Sequence, residues 1–388
     1  MLSKNSFKNV CIIGAGPAGS FTGYLLSRKG FNVTIIEKSS SDKRKVCGEY
    51  LCPQGVNLLK KHGLIDLIEK YNPIHGMKIV SPSEVSFLSF FPKDQIGNIG
   101  ASVNRAIFDK DMRELATRNG CKIIRGATVS ELEKRDSQWI VKTEEKEMLA
   151  DLLIAADGIN SSIAQKLRHK TEINTKRIAL HVYTPIKDNK YYSRLGQMHI
   201  LKDGSYVGIN PITPEEVNLS IVCSKDLLKE MTTKEIINNA IRSSKELRSS
   251  FNELSEESQI SVSGSLRNRN SHIAGEELAY VGDSAGFIDP LTGEGIFNAL
   301  QGAEILSQSL IASPNEKGLV EYKNSRAKYF REKNILNKIF QIVIKYRFIS
   351  ELIASFLKDR QERADTFIGI IGNIYRPLEG IRKIIFNH

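Results

Sequence analysis

The chain has 388 residues, of which 41% are apolar and 26% charged, a composition typical of a globular protein with two or three domains. Its 55 Lys and Arg residues against 44 Asp and Glu leave a net charge of +11, which favours anionic ligands or surfaces such as phosphates, nucleic acid or anionic lipid. No segment has the ~18 consecutive apolar residues of a membrane-spanning helix, and the N-terminus lacks a signal-peptide pattern, so we expect a protein that is neither integral nor secreted.

The five cysteines are scattered, and no two of them form a CxxC pair. This number and spacing indicate neither a disulfide framework nor a zinc site, so we expect no metal centre and a cytoplasmic location. The histidines His75, His181, His199 and His272 show no ligand spacing, and we expect them in the core or on the surface.

Residues 8–37 have the pattern of a single βαβ unit. An apolar strand at 10–13 leads into a glycine-rich turn, a helix continues to about Arg28, and a second strand covers 31–36. A unit of this kind requires a parallel sheet.

The next elements continue this domain. Apolar residues at helical spacing predict a helix over 105–119, which ends at the left-handed stop signal Asn119-Gly120. Predicted strands follow at 121–124, 127–133, 138–143 and 152–156, the last of them running into the turn Asp157-Gly158.

A different pattern begins at about residue 176. Strands separated by turn signals, with no long helix before 223, predict a mostly antiparallel second sheet. The remaining predictions are a helical segment at 224–250, an extended one at 258–267, a buried strand at 278–283, a helix from about Gly295 and helices beyond about 316.

Together these elements predict an α/β fold with three parts. The first is a Rossmann-like dinucleotide-binding domain with a parallel sheet, which we expect to be discontinuous and to comprise 1–75, 104–172 and 275–315. The second, formed by 76–103 and 173–274, is a substrate domain with a mostly antiparallel sheet. The third is a C-terminal helical region at 316–388.

The first turn reads Gly14-Ala15-Gly16-Pro17-Ala18-Gly19, a GxGxxG motif between a strand and a helix. Gly14 permits the tight turn, Gly16 leaves room for a pyrophosphate against the backbone, and Gly19 lets the helix approach the strand. The pyrophosphate would lie at the helix N-terminus, where free amides and the helix dipole favour anions. Pro17 is preset for the first helical turn.

An acidic residue completes this pattern. Glu37 ends the second strand 23 residues after Gly14, where a carboxylate accepts hydrogen bonds from adenosine ribose hydroxyls and repels a 2′-phosphate. The combination favours a dinucleotide site over a merely tight turn, which stays open as the alternative. It does not distinguish NAD from FAD.

Two later segments read Ala-Ala-Asp-Gly-Ile-Asn-Ser at 155–161 and Gly-Asp-Ser-Ala-Gly-Phe-Ile-Asp-Pro-Leu-Thr-Gly-Glu-Gly-Ile at 282–296. With the first turn, they make the chain resemble the FAD-dependent oxidoreductases that include aromatic hydroxylases, flavin halogenases and geranylgeranyl reductases. The resemblance covers about residues 8–310. The reductase-like members are the nearest, since they also carry segments similar to Lys45-Val46-Cys47-Gly48-Glu49 and to 105–109.

The resemblance implies FAD as the cofactor and assigns roles to the 282–296 segment. Asp283 would hold the ribityl hydroxyls, and Pro290 would line the isoalloxazine ring. Gly293, Gly295 and Ile296 would direct amides at the pyrimidine edge of the flavin, where the helix dipole favours the reduced anion.

It also implies roles outside that segment. Asp157 would support the pyrophosphate region, although an Asp-Gly pair is also a common plain β-turn. Arg105 would reach the FAD phosphates, with a solvated helix-start residue as the alternative. Cys47 would form a wall near the flavin rather than a catalytic disulfide with Cys52.

The complete predicted cofactor-binding set is Gly14, Gly16, Pro17, Ala18, Gly19, Glu37, Lys38, Cys47, Gly48, Arg105, Asp157, Asp283, Pro290, Gly293, Gly295 and Ile296. No catalytic residue is assigned from the sequence, because the flavin carries the hard chemistry. Pocket-lining candidates by composition are Phe87, Phe90, Phe91, Tyr183, Tyr191, Tyr192 and Tyr206.

We expect flavin redox chemistry on a small apolar or aromatic substrate, with NAD(P)H as electron donor. Hydroxylation with O₂ is favoured because monooxygenases are common in this family, and reduction of an isoprenoid-type carbon–carbon double bond is the alternative. The hydroxylases have Arg seven residues after the Asp of the Asp-Gly pair, whereas this chain has Ala164, which puts NADPH docking there in doubt.

Halogenases carry a Trp-rich motif, but the only tryptophan here is Trp139. A non-enzymatic dinucleotide-binding protein is a third hypothesis, and the lack of aromatics between basic residues argues against nucleic acid.

The C-terminal region 316–388 carries 15 Lys and Arg against 8 Asp and Glu. Its apolar residues recur at steps of three and four, which predicts one apolar stripe on a long helix or on two helices: Ile335, Ile339, Ile342, Tyr346, Ile349, Ile353 and Phe356. The stripe is expected to pack on the FAD domain. The alternative is a basic amphipathic surface that makes peripheral contact with anionic lipid.

Overall fold

The computed structural model describes residues 6–92, 97–171, 176–187, 194–264, 266–288 and 293–386. Up to residue 155 the chain forms β1 (Asn9–Ile13), α1 (Pro17–Ser27), β2 (Asn32–Glu37), β3 (Tyr50–Leu51), α2 (Pro53–Lys61), α3 (Asp66–Glu69), β4 (Asn72–Ile74), β5 (Gly76–Val80), β6 (Ser86–Phe90), β7 (Gly100–Ser102), α4 (Arg105–Arg118), β8 (Lys122–Arg125), β9 (Val129–Arg135), β10 (Gln138–Thr143), β11 (Glu147–Ala150) and β12 (Leu152–Ala155).

The later elements are α5 (Ser162–Lys166), β13 (Lys170–Thr171), β14 (Arg177–Pro185), β15 (Leu195–Ile200), β16 (Tyr206–Pro211), β17 (Glu216–Ser224), α6 (Thr233–Ser243), α7 (Lys245–Ser250), β18 (Ser261–Ser263), β19 (Arg267–Asn270), β20 (Ala274–Gly275), β21 (Leu278–Tyr280), β22 (Phe287–Ile288), α8 (Gly295–Ala312), α9 (Glu316–Lys345), α10 (Arg347–Lys358), α11 (Gln361–Ile371) and α12 (Pro377–Phe386).

A six-stranded sheet of order β20-β21-β12-β1-β2-β8 forms the centre of the first domain. Its strands are parallel except for the short β20, as the βαβ pattern requires. Alternate residues of β1 face opposite sides: Ile12 packs in the core that includes helices α1 and α8, whereas Cys11 packs in a second core with Trp139 of β10. Both faces are therefore covered, which explains why the central strands β12 and β21 are apolar throughout.

The second sheet has seven strands in the order β18-β14-β17-β16-β15-β5-β6. All its pairs are antiparallel except β15 with β5, so the expected mostly antiparallel sheet is confirmed. Helix α6 covers it, with Ile237 and Ile241 packed against apolar residues of β14 and β17. Strands β5 and β6 precede α4 in the chain but pair within this second sheet.

One local prediction was wrong. The strand predicted at 278–283 ends at Tyr280, because Gly282 has φ +68° and begins a 3₁₀ turn over Gly282–Ala285. Within the segment predicted to be extended at 258–267, Ser261–Ser263 form β18 and β19 begins at Arg267, whereas residue 265 lies outside the described residues.

The C-terminal region is helical as expected, with the break between α9 and α10 at Tyr346. Leu336 and Ile344 of α9 and Leu357 of α10 are buried. Within the residues that the structure describes, no helix is long and apolar enough to cross a membrane.

Candidate FAD and substrate site

The glycine-rich turn between β1 and α1 has the geometry that the sequence predicts. Gly14 has φ +101°, and a Cβ there would lie 2.5 Å from the carbonyl oxygen of Ala156. A Cβ on Gly19 would overlap the carbonyl oxygen of Gly14. Both positions therefore require glycine so that helix, turn and strand can meet.

Gly16 is different, because a Cβ there would meet no protein atom within 4 Å. Its backbone, at φ −76° and ψ −174°, is one that any residue adopts, and Gly16 caps helix α1. Gly16 lines a large cavity, so the space that a side chain would occupy there is part of this cavity. A dinucleotide pyrophosphate at the N-terminus of α1 fits this space.

Glu37 braces the same turn. Its Oε2 accepts a hydrogen bond of 2.7 Å from the amide of Ala15, and its Oε1 accepts one of 2.9 Å from the amide of Ser39. The side chain is buried and lines the cavity. Each carboxylate oxygen can accept a second hydrogen bond, so Glu37 can hold the turn in place and also accept the proposed hydrogen bonds from the ribose. The sequence did not suggest the first of these roles.

The cavity has a volume of about 530 Å³ and lies between the parallel sheet and the second sheet. Most of the predicted cofactor-binding residues line it: Gly14, Gly16, Pro17, Ala18, Glu37, Lys38, Cys47, Gly48, Arg105, Asp157, Asp283, Gly293, Gly295 and Ile296. Gly19 instead faces the turn, and Pro290 lies outside the described residues, as do Tyr191 and Tyr192. The fold thus brings together motifs that are more than 250 residues apart in the chain.

Asp157 and Asp283 each follow a strand of the parallel sheet. Asp157 Oδ2 accepts hydrogen bonds of 3.2 Å from Ser162 Oγ and the amide of Ile163, whereas its buried Oδ1 has no partner within the described part of the chain. Asp283 lies in the 3₁₀ turn, and burial raises its pKa to about 6, against the lowering effect of Arg105. A bound ligand that donates hydroxyl hydrogen bonds would satisfy acceptors of this kind.

The arrangement at Asp283 makes a prediction for the flavin-free protein. Because the folded-state pKa is raised from 3.8 to about 6, this group's contribution to stability is present below pH 3.8 and is lost as the pH rises through about 6. Asp283→Asn should therefore raise the free energy of unfolding at pH 8 by about 1–3 kcal/mol and leave it almost unchanged at pH 4. Urea denaturation at both pH values checks this, and an equal effect at both would contradict it.

Arg105 is not a solvated helix-start residue, so that alternative was wrong. Its Nε and Nη2 donate hydrogen bonds of 2.7 and 3.0 Å to the two carboxylate oxygens of Asp109, one helical turn later. Lys45 Nζ lies 3.2 Å from the same carboxylate. The buried pair raises the pKa of Arg105 and lowers that of Asp109.

Two asparagines of the second sheet, Asn210 and Asn218, hold the 47–49 loop through hydrogen bonds. Asn218 Nδ2 donates a hydrogen bond of 2.9 Å to the carbonyl oxygen of Cys47, and Asn210 Nδ2 donates bonds of 3.0 and 2.7 Å to those of Gly48 and Glu49. Glu49 has φ +55° and is fully buried. These contacts hold a strained backbone in place at the cavity wall.

The thiol of Cys47 is protonated in this setting, because burial raises its pKa. Burial also raises the pKa of Cys52, to about 12, and both cysteines are free. The reading of Cys47 as a wall residue agrees with these observations, and a thiolate nucleophile does not.

His181 also lines the cavity, although its spacing in the sequence gave no signal. Its Nδ1 lies 2.7 Å from Ser220 Oγ, which donates a hydrogen bond of 2.6 Å to Asn218 Oδ1. Burial lowers the pKa of His181 to about 4, so the ring is neutral at pH 7. The period-two alternation of β14 and β17 is the only sequence feature that places these side chains on one face.

The N-terminus of α8 rests on a buried ion pair that the sequence also did not reveal. Lys333 Nζ of α9 donates a hydrogen bond of 3.0 Å to Oε1 of Glu294, the residue that caps α8, and lies 3.4 Å from Asn298 Oδ1. The two ionic side chains are 10% and 8% exposed. The pair fixes the backbone from Gly293 to Ile296, which is the segment predicted to contact the flavin.

Comparison with known proteins agrees with this geometry. The model of the FAD binding domain family matches residues 8–332. A digeranylgeranylglycerophospholipid reductase of Methanosarcina acetivorans is 25% identical over 88% of this chain and 85% of its own. The squalene monooxygenase of Rattus norvegicus is 28% identical over 79% of this chain and 55% of its own.

The fold also has a close match among solved structures. A flavoprotein/dehydrogenase from Cytophaga hutchinsonii superposes with a TM-score of 0.81 over 98% of this chain and 96% of its own, at 16% identity. The matched family, the shared fold and the cavity lined by the three motifs lead to one conclusion: this chain belongs to the FAD binding domain family and is an FAD-dependent oxidoreductase.

Proposed function

We propose that the protein reduces carbon–carbon double bonds of an isoprenoid-type lipid, with FAD as the bound cofactor and NAD(P)H as the electron donor. The observation that carries the proposal is the cavity, which continues from the FAD motifs to the second sheet. There it is lined by apolar side chains of that sheet and its neighbours, namely Met77, Ala179, Met198, Tyr206, Val222, Leu266 and Phe287. A wall of this composition suits a hydrocarbon chain.

The 47–49 loop supports reduction over hydroxylation. This segment resembles the corresponding segment of the reductase-like members of the family, and it lies in the cavity wall. The relative named as a digeranylgeranylglycerophospholipid reductase supports the same class of substrate.

Saturation of one double bond requires two electrons and two protons. FAD held in its reduced form would supply a hydride, which carries both electrons and one proton, and the second proton would come from the surroundings of the substrate. The cavity wall holds two acidic groups, the Cys47 thiol and the Glu49 carboxyl, and burial raises the pKa of each. The chain's other task is to exclude water, which the apolar lining performs.

Oxygen insertion is the second candidate, because a squalene monooxygenase is similar to this chain. It uses the same cofactor, and the cavity accommodates the same class of substrate. The candidates differ in the fate of the electrons, which go to the alkene in the first and to O₂ in the second.

An anaerobic experiment separates them. The bound flavin is photoreduced without any nicotinamide, mixed with a geranylgeranyl lipid under argon, and followed by its visible absorbance, with products identified by mass spectrometry. We expect the flavin to reoxidise and the lipid to gain two hydrogens per flavin. No reoxidation under argon, together with oxygen incorporated into the lipid after air is admitted, would replace the reductase by the monooxygenase.

A further inference from the structure

An exposed apolar stripe crosses the C-terminal helices. We define it by seven residues whose exposed fractions range from 41% to 74%: Ile335, Ile339, Ile342, Tyr346, Phe348, Leu352 and Phe356. They recur at steps of two to four along α9 and α10. The opposite side of these helices packs on the rest of the protein. The predicted stripe was expected to pack on the FAD domain, and this expectation was wrong for its exposed members.

Cations surround the stripe. Between Ile335 and Arg360, one acidic side chain is exposed, Asp359, against five basic ones: Lys338, Lys345, Arg347, Lys358 and Arg360. The guanidinium of Arg363 lies 3.9 Å from the ring centre of Phe356. Long basic side chains beside apolar ones are typical of a surface that lies at the level of lipid headgroups.

The acidic side chain within α10 is turned away from this surface. Glu351 Oε2 accepts a hydrogen bond of 2.7 Å from Ser81 Oγ, and Oε1 accepts one of 2.6 Å from the amide of Ser83. Both partners belong to the turn between β5 and β6. The contact removes a negative charge from the outer face and fixes the orientation of α10.

Helix α9 also connects the stripe to the cavity. On its inner side, Phe340 and Ile344 pack in a cluster with Tyr206, Val222 and Leu266. These three residues line the cavity. One helix therefore separates the exposed stripe from the apolar end of the candidate substrate site.

We propose that the apolar stripe docks on an anionic bilayer surface, so that the protein lies on the membrane and takes its apolar substrate from it. A second copy of the chain is a poorer occupant, because two stripes face to face would bring their basic residues together. A bilayer containing anionic lipid complements both the apolar and the basic part. The docking stands independently of the reaction, and only the origin of the substrate rests on the proposed function.

The test is flotation of the FAD-loaded full chain with vesicles. Phosphatidylcholine vesicles containing phosphatidylglycerol are compared with pure phosphatidylcholine vesicles, each at low and high salt. We expect binding to the anionic vesicles that weakens at high salt, since screening acts within ~10 Å. The double variant Phe348→Asp/Leu352→Asp should lower the partition coefficient at least ~100-fold.

The control is Leu149→Asp, which alters an equally exposed leucine, 59% exposed, on strand β11 of the first domain. It should bind vesicles like the parent chain. Equal binding by the double variant, or no binding of the parent at low salt, would overturn the proposal. The proposal would also be overturned if light scattering showed that the parent chain is a dimer and the double variant a monomer. Vesicle binding needs no turnover, and the FAD content is measured on each sample. A failure of the membrane-docking proposal is therefore distinguishable from a failure of the proposed reductase activity.

Discussion

Gly16→Val should abolish FAD binding while the flavin-free protein keeps its fold. Gly16 has an unstrained backbone, and a Cβ there meets no protein atom within 4 Å, so valine fits the folded chain. The side chain would occupy the space proposed for the pyrophosphate, against the free amides of α1. Loss of charge-assisted hydrogen bonds worth ~1.5–3 kcal/mol each lowers the FAD affinity at least ~100-fold.

The measurement is isothermal titration of the flavin-free variant with FAD, together with its denaturation curve. The free energy of unfolding should change by less than about 1 kcal/mol, the size of a helix-cap effect. Gly19→Ala is the matched control, because its methyl group overlaps the carbonyl oxygen of Gly14. That variant should lose about 1–3 kcal/mol or more of stability even without FAD. Normal FAD affinity in Gly16→Val would place the pyrophosphate elsewhere.

Lys333→Met is expected to have the largest effect on stability. The substitution removes the ammonium group 3.0 Å from the buried Glu294 carboxylate and leaves that charge in a site with 8% exposure. Removal of one partner of a buried pair costs about 3–5 kcal/mol. The N-terminus of α8 should loosen with it, and the FAD affinity should fall.

Lys338→Met is the control, since Lys338 is exposed on the same helix. It should change the free energy of unfolding by less than about 0.5 kcal/mol. Adding Glu294→Gln to Lys333→Met removes the buried carboxylate charge as well and should restore part of the loss, which urea denaturation of all four proteins measures. A Lys333→Met protein as stable as its parent would show that the pair contributes nothing to this end of the site.

The parallel sheet and its cofactor turn were predictable because their signals are local. A strand, a GxGxxG turn and a helix fall within 20 residues of sequence, and the backbone angle of Gly14 follows from the residue type. The aspartates at 157 and 283 were assigned through the family resemblance of the segments that contain them, and in the structure each follows an apolar strand. These features place most of the predicted set around one cavity.

Contacts between distant segments had no such signal. Lys333 and Glu294 are 39 residues apart on two helices, and Asn218 contacts Cys47 across 171 residues. The aromatic candidates show the same limit: Tyr206 lines the cavity, whereas Phe90 is 56% exposed and Phe91 is buried in the core. Periodicity likewise identified the C-terminal stripe but not the side it faces, which depends on how α9 and α10 pack.

If these motifs form one FAD site, the purified chain should bind FAD, and titration with flavins tests this. The protein is stripped of flavin, shown to be folded, and titrated with FAD and separately with FMN. We predict uptake of about one FAD per chain with the visible flavin spectrum, and much weaker binding of FMN, because Glu37 and part of the pyrophosphate site at the Gly16 turn would hold the AMP half that FMN lacks. A folded protein that takes up no FAD, or that binds FMN equally well, would contradict the account.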